Sequence, residues 1–554
     1  MNTSEDSIFD FLIVGSGFGG SITAFRLAQK GYRVAVLEKG RRLRKNDFPK
    51  TNWNVFRYFW APFLRCFGLQ QMTLLQGVMV LHGSGVGGGS LVYANTLMTP
   101  RDPVFSDPGW PKGIDWKSEL TPHYDNARKM LGVVPNALED EADRVLKELG
   151  RELGCEQSYH PTEVGVFFGE ADKEVPDPYF SGDGPSRVGC TGCGGCMVGC
   201  RVGAKNTLDQ NYLYFAESWG TKVYPDRQVE KIIPIDDGYE VTTTIPGRVF
   251  AATGERFKTR NVVLAAGALG TVELLFRNKE VHQTLPRVSD ALGSQVRTNG
   301  ESLCGATSFE AHRDLSRGIA IGSAIHPDEI TKIEPVRYPS GSGAMSLMGV
   351  PLTNDGSAYI RPLKLILRYI LHFPYLVRLW SVRDWAKSSI ILLVMQSVDH
   401  QIRLKLGRSI LSFYRKTLQR AVTIDPQSGK KAKERLPSYL PIANRATAIL
   451  GKLIKGYPQN IFSEAFLGIP ATAHILGGCC MGNSESEGVI DQSHRVFGYK
   501  GLYVCDGSVV PVNLGVNPSL TISALSERFS QQFPLAEGFS QEEFKSRQIR
   551  FSRS

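Results

Sequence analysis

The chain has 554 residues, 42% of them hydrophobic and 21% charged, which are ordinary values for a folded protein of two or more domains. Ten cysteines are few for this length, so a disulfide-stapled secreted fold is not expected. The net charge of +10 favours an anionic partner such as a membrane surface. Nucleic acid is the alternative anionic partner, but no nucleic-acid-binding motif supports it.

The sequence predicts neither a signal peptide nor a membrane-spanning helix. No apolar run approaches the ~18 residues of a spanning helix, and the N-terminus lacks the basic segment of a signal peptide. We therefore expect a cytoplasmic or peripheral membrane protein.

The first predicted unit is a strand, a glycine-rich turn, a helix and a second strand. The apolar sequence FLIV is followed by GSGFGG, a helical segment and an apolar strand that ends at Glu38. This is the dinucleotide fingerprint in its required context: Gly15 permits the turn, Gly17 lets the backbone approach a pyrophosphate, and Gly20 lets helix and strand pack closely. Glu38 can accept hydrogen bonds from ribose hydroxyls. The fingerprint alone does not separate FAD from NAD.

Later segments favour FAD. A second glycine-rich loop, HGSGVGGGS, spans residues 82–90. A protein that binds NAD alone does not need it, whereas FAD is longer and has to be held at its flavin end too. Near the C-terminus, GLYVCDGS indicates a strand entering a turn, and GVNPSLTI opens a last helix.

These residues resemble the glucose-methanol-choline (GMC) oxidoreductase family and, within it, the cholesterol oxidase branch. The resemblance runs from Phe9 to about Arg528. It is carried by GVGGGSLV, by the Asn-Pro pair before the last helix, by NVVLAAGALGTVELL at residues 261–275 and by HILGGC at residues 474–479. The branch usually has proline where this chain has Ile475.

The resemblance implies an α/β fold, with a Rossmann-type FAD-binding domain assembled from discontinuous segments and a substrate-binding domain of β-sheet and helices. We expect the first to comprise residues 8–50, 78–130, 205–305 and 468–538. The second comprises residues 51–77, 131–204 and 306–467, with a Cys-rich loop at 190–200. The residues assigned to FAD binding are Gly15, Gly17, Gly20, Glu38, Gly85, Gly89, Ser90, Asn95, Val229, Ala266, Asp506, Gly507 and Asn517.

The implied reaction oxidises the hydroxyl of a hydrophobic alcohol, a sterol 3-hydroxyl to a 3-ketone, with hydride passing to flavin N5. Histidine suits removal of the hydroxyl proton because its pKa lies near working pH. The resemblance places the reacting pair at His474, as base, and Asn517, as a donor to the substrate oxygen or a contact of the flavin. The branch's glutamate, proposed to move a steroid double bond, falls by position near Lys387, so no counterpart is predicted. A purely structural His474, and Asn517 as a helix N-terminal residue, stay open.

Four cysteines, Cys190, Cys193, Cys196 and Cys200, have the C-x2-C-x2-C-x3-C spacing of bacterial ferredoxin clusters. The proline that usually follows the fourth cysteine is replaced by Arg201. The run favours a three-iron cluster, or a four-iron cluster with a remote ligand. Zinc, disulfides or buried thiols are the alternatives.

Two further segments indicate a membrane-facing surface. Residues 361–387 and 53–67 mix aromatic, aliphatic and basic residues, as helices at a bilayer interface do. Ordinary core helices with snorkelling arginines are the alternative.

Three hypotheses follow. The first is a sterol oxidase that uses O₂. The second is a flavin and iron–sulfur dehydrogenase that passes electrons from long-chain or sterol alcohols to another acceptor. The third is a non-catalytic lipid-binding flavoprotein, which the presence of both His474 and Asn517 argues against.

Overall fold

The computed structural model describes residues 8–75, 77–248, 254–310, 312–354, 360–408, 416–421 and 436–552. The larger helices are α1 (Phe18–Gln29), α2 (Trp116–Met130), α3 (Glu141–Glu152), α4 (Tyr212–Ser218), α5 (Gly267–Phe276), α6 (Ile360–Leu371), α7 (Phe373–Trp380), α8 (Pro441–Leu453) and α9 (Ser519–Gln531). The larger strands are β1 (Phe9–Val14), β2 (Val34–Leu37), β3 (Gln70–Leu75), β4 (Val78–Gly83), β5 (Lys222–Tyr224), β6 (Gln228–Ile235), β7 (Gly238–Thr244), β8 (Arg256–Leu264), β9 (Ser302–Ser308), β10 (Thr331–Val336), β11 (Gly349–Pro351), β12 (Ser389–Gln396), β13 (Gly456–Ile461) and β14 (Leu502–Val504).

Shorter elements connect them. The short helices are Val55–Tyr58, Asp102–Phe105, Trp385–Ser388, Phe462–Ala465 and Gln541–Ser546. The short strands are Trp60–Ala61, Cys66–Phe67, Val134–Pro135, His160–Pro161, Glu163–Val164, Glu174–Val175, Arg187–Val188, Val296–Arg297, Ser323–Ala324, Gln401–Ile402, Leu404–Gly407, Thr417–Arg420 and Ala471–Thr472. Helical turns lie at Pro62–Leu64, Gly88–Leu91, Glu156–Ser158, Cys196–Val198, Leu208–Gln210, Arg277–Val281, Ala344–Met348 and Gly507–Val509.

A seven-stranded sheet carries the predicted fingerprint. Its order is β5-β2-β1-β8-β7-β6, and β14 also pairs with β8. The pairs β5–β2, β2–β1, β1–β8 and β8–β14 are parallel, whereas β6, β7 and β8 form an antiparallel extension. Phe11 to Val14 of β1 are all buried, as expected for a parallel strand covered on both faces.

Three strand ends converge at the carboxyl edge of this sheet. Gly15 follows β1 with φ +101°, and a Cβ there would lie 2.3 Å from the carbonyl oxygen of Ala265, just after β8. A Cβ on Gly19 would lie 1.7 Å from the carbonyl oxygen of Cys505, just after β14. Only glycine fits at such approaches, so these residues allow the three loops to meet at one point.

A five-stranded antiparallel sheet, in the order β10-β12-β9-β13-β11, forms the other half of the fold. Alternate residues of its strands face opposite ways. Cys304 and Ala306 of β9 pack in a core with α3 and α8, while Leu303 and Thr307 line a large internal chamber. The sheet therefore forms one wall of that chamber.

A buried ion pair joins α3 to this sheet. Arg337, just after β10, donates from Nη2 to Asp143 Oδ1 at 2.8 Å, and both side chains are 1% exposed. Ser323 donates to the same carboxylate oxygen at 2.6 Å. The Asp143 carboxylate therefore balances a guanidinium that has little access to water.

We predict that Asp143→Asn lowers the free energy of unfolding by about 3–5 kcal/mol, because Arg337 is left buried without an opposite charge. The measurement is the urea midpoint followed by tryptophan fluorescence. Glu148→Gln is the matched control, since Glu148 and its partner Arg151 are 50% and 55% exposed and such pairs contribute about 1 kcal/mol or less. Equal losses in the two variants would contradict the prediction.

Candidate active site

The chamber has a volume of about 350 Å³ and lies between the carboxyl edge of the first sheet and the inner face of the second. One wall is made of turns and helix starts: Gly17, Phe18, Gly19, Gly89, Ala266, Gly267, Asp506, Gly507, Asn517, Pro518 and Ser519. The opposite wall is mostly apolar: Leu81, Leu303, Ile321, Val336, Met345, Met348, Trp385, Ile391, Leu393 and Ile461.

The first wall fits a bound dinucleotide. A Cβ on Gly17 or on Gly267 would meet nothing within 4 Å, so both positions face open space. Helix α1 begins at Phe18 and α9 at Ser519, and helix starts present free N–H groups and positive partial charge to an anion. The residues present could thus hold phosphate groups at α1 and a flavin beside α9.

Glu38 holds the first glycine turn in place, a role that the sequence did not predict. It is buried at the end of β2, and its Oε2 accepts hydrogen bonds from Ser16 N at 3.0 Å and from Ser16 Oγ at 2.7 Å. Its Oε1 accepts from Gly40 N at 2.8 Å. Ser16 Oγ in turn accepts from Gly87 N at 3.1 Å. The two glycine-rich loops are therefore joined through one hydroxyl.

The predicted cofactor residues divide into two groups. The chamber wall contains Gly17, Gly89, Ala266, Asp506, Gly507 and Asn517. The others lie outside it. Gly15 and Gly20 pack behind the turn, Gly85 and Ser90 support the second loop, and Val229 lies on β6. Asn95 lines a different, smaller cavity.

Thr271 connects two of the predicted cofactor residues. Its Oγ1 donates to Asp506 Oδ2 at 2.5 Å and accepts from Ala266 N at 3.1 Å. Asp506 also accepts from Ser508 N at 2.8 Å. This network aligns the turns that follow β8 and β14 along the chamber wall.

His474 reaches the chamber from the segment after strand Ala471–Thr472, which pairs with β4. Its Nδ1 is hydrogen-bonded to the carboxylate of Glu301, 173 residues away in sequence. Glu301 is fully buried, and its Oε2 accepts from Ala473 N at 2.8 Å. Nothing in the local sequence around Glu301 predicted this contact.

The pKa of His474 is raised. Burial acts in the opposite direction and favours the neutral imidazole, but the charge and hydrogen bond of Glu301, together with Glu334, outweigh it. The site therefore stabilises the protonated form of this histidine.

Asn517, buried just before α9, lies against a second buried carboxylate. Its Nδ2 donates to Glu334 Oε2 at 3.4 Å, and Lys332 Nζ lies 2.6 Å from Glu334 Oε1. Asn517 Oδ1 has no hydrogen-bond partner among the described residues. The amide thus keeps a free acceptor at the chamber.

The position aligned with the branch's glutamate lies outside the chamber wall. Lys387 does not line the chamber, although Trp385 does. The carboxylates beside His474 and Asn517 are Glu301, in the wall, and Glu334, behind Asn517. Because β9 and β10 reach the site from distant parts of the sequence, motif spacing did not identify them.

All four cysteines of the 190–200 run are free thiols, so the disulfide alternative is wrong. In the part of the chain that the structure describes, no group of three or more His, Cys, Asp or Glu side chains is arranged to hold a metal ion. The iron–sulfur cluster stays a prediction of the spacing.

The two segments predicted to face a membrane differ in structure. Residues 361–387 form α6, α7 and a short helix, and Leu363, Leu367, Ile370 and Leu371 of α6 are 54–69% exposed. The core-helix alternative is therefore wrong for α6. Residues 53–67 form short helical turns and two strands of two residues. None of the helices described is long and apolar enough to cross a bilayer.

Comparison with known proteins agrees with this architecture. Family models described as GMC oxidoreductase match residues 185–280 and 418–526, and an NAD(P)-binding Rossmann-like domain matches residues 13–58. Two solved structures share the fold: pyridoxine 4-oxidase from Mesorbium loti and formate oxidase from Aspergillus oryzae. The first has a TM-score of 0.59 and 15% identity, covering 95% of this chain and 99% of that one. The second has a TM-score of 0.60 and 14% identity, covering 96% and 98%.

Curated relatives are more similar in sequence. The chain is 44% identical to a cholesterol oxidase from Acinetobacter baumannii over 536 residues, covering 95% of this chain and 94% of that one. It is also 44% identical to a cholesterol oxidase from Mycobacterium tuberculosis, covering 95% and 91%. A long-chain-alcohol oxidase from Arabidopsis thaliana is 26% identical, covering 93% and 66%. The chain thus belongs to the GMC oxidoreductase family, in its cholesterol oxidase-like branch, and is an FAD-dependent alcohol oxidoreductase with the predicted α/β fold.

Proposed function

We propose that the enzyme oxidises the 3-hydroxyl group of a sterol to a ketone, with His474 as the base that accepts the hydroxyl proton. The observation that carries the proposal is the His474–Glu301 pair in the wall of an otherwise apolar chamber. The identity to cholesterol oxidases supports a sterol as substrate. Bound FAD supplies the acceptor for the hydride that leaves the carbinol carbon.

The hydrogen bond to Glu301 determines which nitrogen of His474 reacts. Nδ1 is engaged with the carboxylate, so the neutral ring carries its proton there and Nε2 keeps the free lone pair. Nε2 is therefore the atom that accepts the hydroxyl proton. Glu301 then stabilises the resulting imidazolium, because it lies against the opposite side of the ring.

Asn517 positions the substrate oxygen. Its amide is held from behind by Glu334, which is itself paired with Lys332, so its orientation is set before substrate arrives. Oδ1 can accept the hydroxyl hydrogen until His474 takes it, and the second Nδ2 hydrogen can donate to the oxygen as it becomes a carbonyl.

The rest of the chamber selects an apolar body. Leucine, isoleucine, methionine and tryptophan side chains of the second sheet and its loops make up most of the far wall. Polar groups there are few and include Gln70, Gln459 and Asn460. A small number of polar groups on an apolar wall orient a hydrophobic ligand whose one hydroxyl points towards His474.

We also propose that the exposed apolar face of α6 and α7 docks on a membrane from which the sterol is taken. In addition to the α6 residues above, Phe373 and Tyr375 of α7 are 56% and 53% exposed. Helix α6 packs against β11, which directly follows the chamber residue Met348, so the apolar face adjoins the chamber. Basic residues on the same helices suit anionic headgroups.

We predict that His474→Gln lowers kcat by about 10²–10⁴-fold, because glutamine cannot accept the hydroxyl proton. Bound FAD, measured from its absorbance after release, stays at the wild-type level. The matched control is His160→Gln, in a short strand away from the chamber, which keeps wild-type turnover. Loss of FAD from His474→Gln would show a structural role instead.

We predict that Glu301→Gln lowers kcat by about 10–100-fold, since a charge-assisted hydrogen bond of about 1.5–3 kcal/mol is lost. The substitution also moves the acidic limb of the pH profile of kcat/KM. Because Glu301 raises the pKa of His474, activity in the wild type falls as pH drops through that raised pKa. Without the carboxylate the pKa falls and the limb moves to lower pH.

Glu464 provides the control for this profile. Burial raises the pKa of the Glu464 carboxyl to about 7. This carboxylate accepts a hydrogen bond at 2.7 Å from the hydroxyl of Ser302, the residue that follows Glu301 in the sequence. Glu464→Gln should leave the acidic limb in place. If the acidic limb moved in Glu464→Gln but not in Glu301→Gln, the limb would report Glu464 and not His474. That result would overturn the role of His474 as the base.

We predict that the double variant Leu367→Glu and Ile370→Glu loses most turnover of sterol held in vesicles that contain anionic lipid. Turnover of detergent-solubilised sterol is unchanged, because both residues lie on the surface. The control, Ile235→Glu, changes a 41% exposed residue at the end of β6 and should affect neither assay. Equal activity of the double variant in both assays would contradict membrane docking by this face.

A further inference from the structure

A second group of polar side chains lines the chamber at a distance from His474. It consists of Thr307 on β9, Ser389 at the start of β12 and Gln459 on β13. Thr307 pairs with Ser389 across the sheet, and Gln459 pairs with Gly305 of the same central strand. Three adjacent strands thus bring these side chains together, and we call them the distal polar cluster.

Strand β9 separates the distal polar cluster from the reacting end of the chamber. Glu301, which is hydrogen-bonded to His474, directly precedes the strand, and Thr307 lies near its other end. At about 3.3 Å per residue, Glu301 and Thr307 lie about 20 Å apart along the sheet. An elongated ligand that presents a hydroxyl to His474 can therefore contact the cluster with its opposite end.

The hydrogen bonds within the distal polar cluster run in one direction. Thr307 Oγ1 donates at 2.9 Å to Gln459 Oε1, which has no hydrogen to donate in return. Because the Thr307 hydroxyl has a single hydrogen, Ser389 is the donor in the 2.8 Å contact between the two hydroxyl groups. This chain of bonds fixes the Gln459 amide with Oε1 towards Thr307 and Nε2 away from it.

The distal polar cluster keeps one donor group and one acceptor for a ligand. Gln459 Nε2 has no hydrogen-bond partner among the described residues. A Cβ on Gly349 would lie 2.5 Å from this nitrogen, so glycine at this chamber position leaves space beside the amide. Ser389 Oγ donates its hydrogen to Thr307 and keeps a lone pair that can accept.

The neighbouring amide of Asn460 has no such free capacity. Its Oδ1 accepts from Thr353 N at 2.8 Å, and its Nδ2 donates to Asn444 Oδ1 at 3.0 Å. Asn460 therefore serves the packing between β13 and α8, whereas Gln459 directs its amide nitrogen to a space that a ligand can fill.

We propose that the distal polar cluster binds a second hydroxyl group, at the end of the substrate opposite to the hydroxyl that is oxidised. This inference rests on the proposed function and narrows its substrate class to sterols with a hydroxyl at the end of the side chain. The second hydroxyl accepts from Gln459 Nε2 and donates to Ser389 Oγ. Both of its hydrogen-bonding capacities are thus satisfied in a wall that is mostly apolar.

The charges of the chamber restrict the second group to a neutral one. Among the described residues no lysine or arginine lines the chamber, whereas Glu301 and Asp506 do. A carboxylate would have to leave water without meeting an opposite charge, which is costly. A sterol whose side chain ends in a carboxylate is therefore disfavoured.

The test measures ligand binding to the full-length holoenzyme. The probes are cholestenone, whose 3-position is already a ketone, and its analogues with a hydroxyl or a carboxylate at the end of the side chain. Dissociation constants are obtained from the change in flavin absorbance. We expect the hydroxyl analogue to bind about 3–10-fold more tightly than cholestenone, and the carboxylate analogue more weakly than either. Equal binding of cholestenone and the hydroxyl analogue, or tightest binding of the carboxylate, would overturn the proposal.

Variants locate the contact. Gln459→Met keeps an unbranched side chain but removes the donor, so the ratio of the dissociation constants of cholestenone and the hydroxyl analogue should fall to about 1. Ser389→Ala removes the acceptor and should lower the same ratio. The control Gln157→Met makes the same exchange at an exposed glutamine outside the chamber and should keep the wild-type ratio. A wild-type ratio in both Gln459→Met and Ser389→Ala would refute the distal polar cluster as the binding site.

Failure of the sterol proposal would be seen separately. If none of the three sterols bound, the substrate class would be wrong, and dodecanol and its α,ω-diol would take their place as probes. Tighter binding of the diol, lost in Gln459→Met, would support a second hydroxyl site for another class of hydrophobic alcohol. Equal binding of these two alcohols would overturn the second hydroxyl site as well.

Discussion

The close approach of three backbone loops at the carboxyl edge of the parallel sheet is the constraint on which the remaining architecture depends. A Cβ at Gly15 or Gly19 would collide with a carbonyl oxygen of the neighbouring loop. Because neither glycine has a Cβ, the ends of β1, β8 and β14 can meet closely. Helices α1 and α5 and the helical turn Gly507–Val509 therefore share one wall of the chamber. Ser16 and Glu38 then attach the second glycine loop to the first. Without this convergence the chamber would have no cofactor wall for His474 to face.

Buried charge supports two polar side chains of the chamber wall. Glu301 lies behind His474 and the Lys332–Glu334 pair lies behind Asn517, and each of these charged groups is almost fully buried. Charges in such positions are stable only when paired and hydrogen-bonded, so their partners are held in fixed orientations. The same arrangement that orients His474 also raises its pKa, which favours proton acceptance from an alcohol.

The segment from Tyr93 to Thr96 lies between two cavities of the molecule. Tyr93, Ala94 and Thr96 line the catalytic chamber, Asn95 lines the smaller cavity beside the four cysteines, and Lys205 fixes the segment through the carbonyl oxygen of Tyr93. A ligand in either cavity would therefore contact the same short piece of backbone. The cysteine run therefore lies next to the catalytic chamber, which the spacing of the cysteines in the sequence could not show.

The sequence by itself determined the features that depend on local order. The fingerprint at Gly15–Gly20, the second glycine loop, the Asn517-Pro518 helix start and the cysteine spacing each combine residues that are neighbours in the chain. These motifs, with the family resemblance that they carry, were therefore enough to predict the α/β fold and FAD. Tertiary structure alone decided which side chains meet. Glu301 and Glu334 are brought to His474 and Asn517 from distant strands, Asn95 turns away from the chamber towards the cysteines, and α6 leaves its apolar face exposed. Such contacts arise from packing between two sheets, and packing joins residues whose separation in the chain carries no periodic signal.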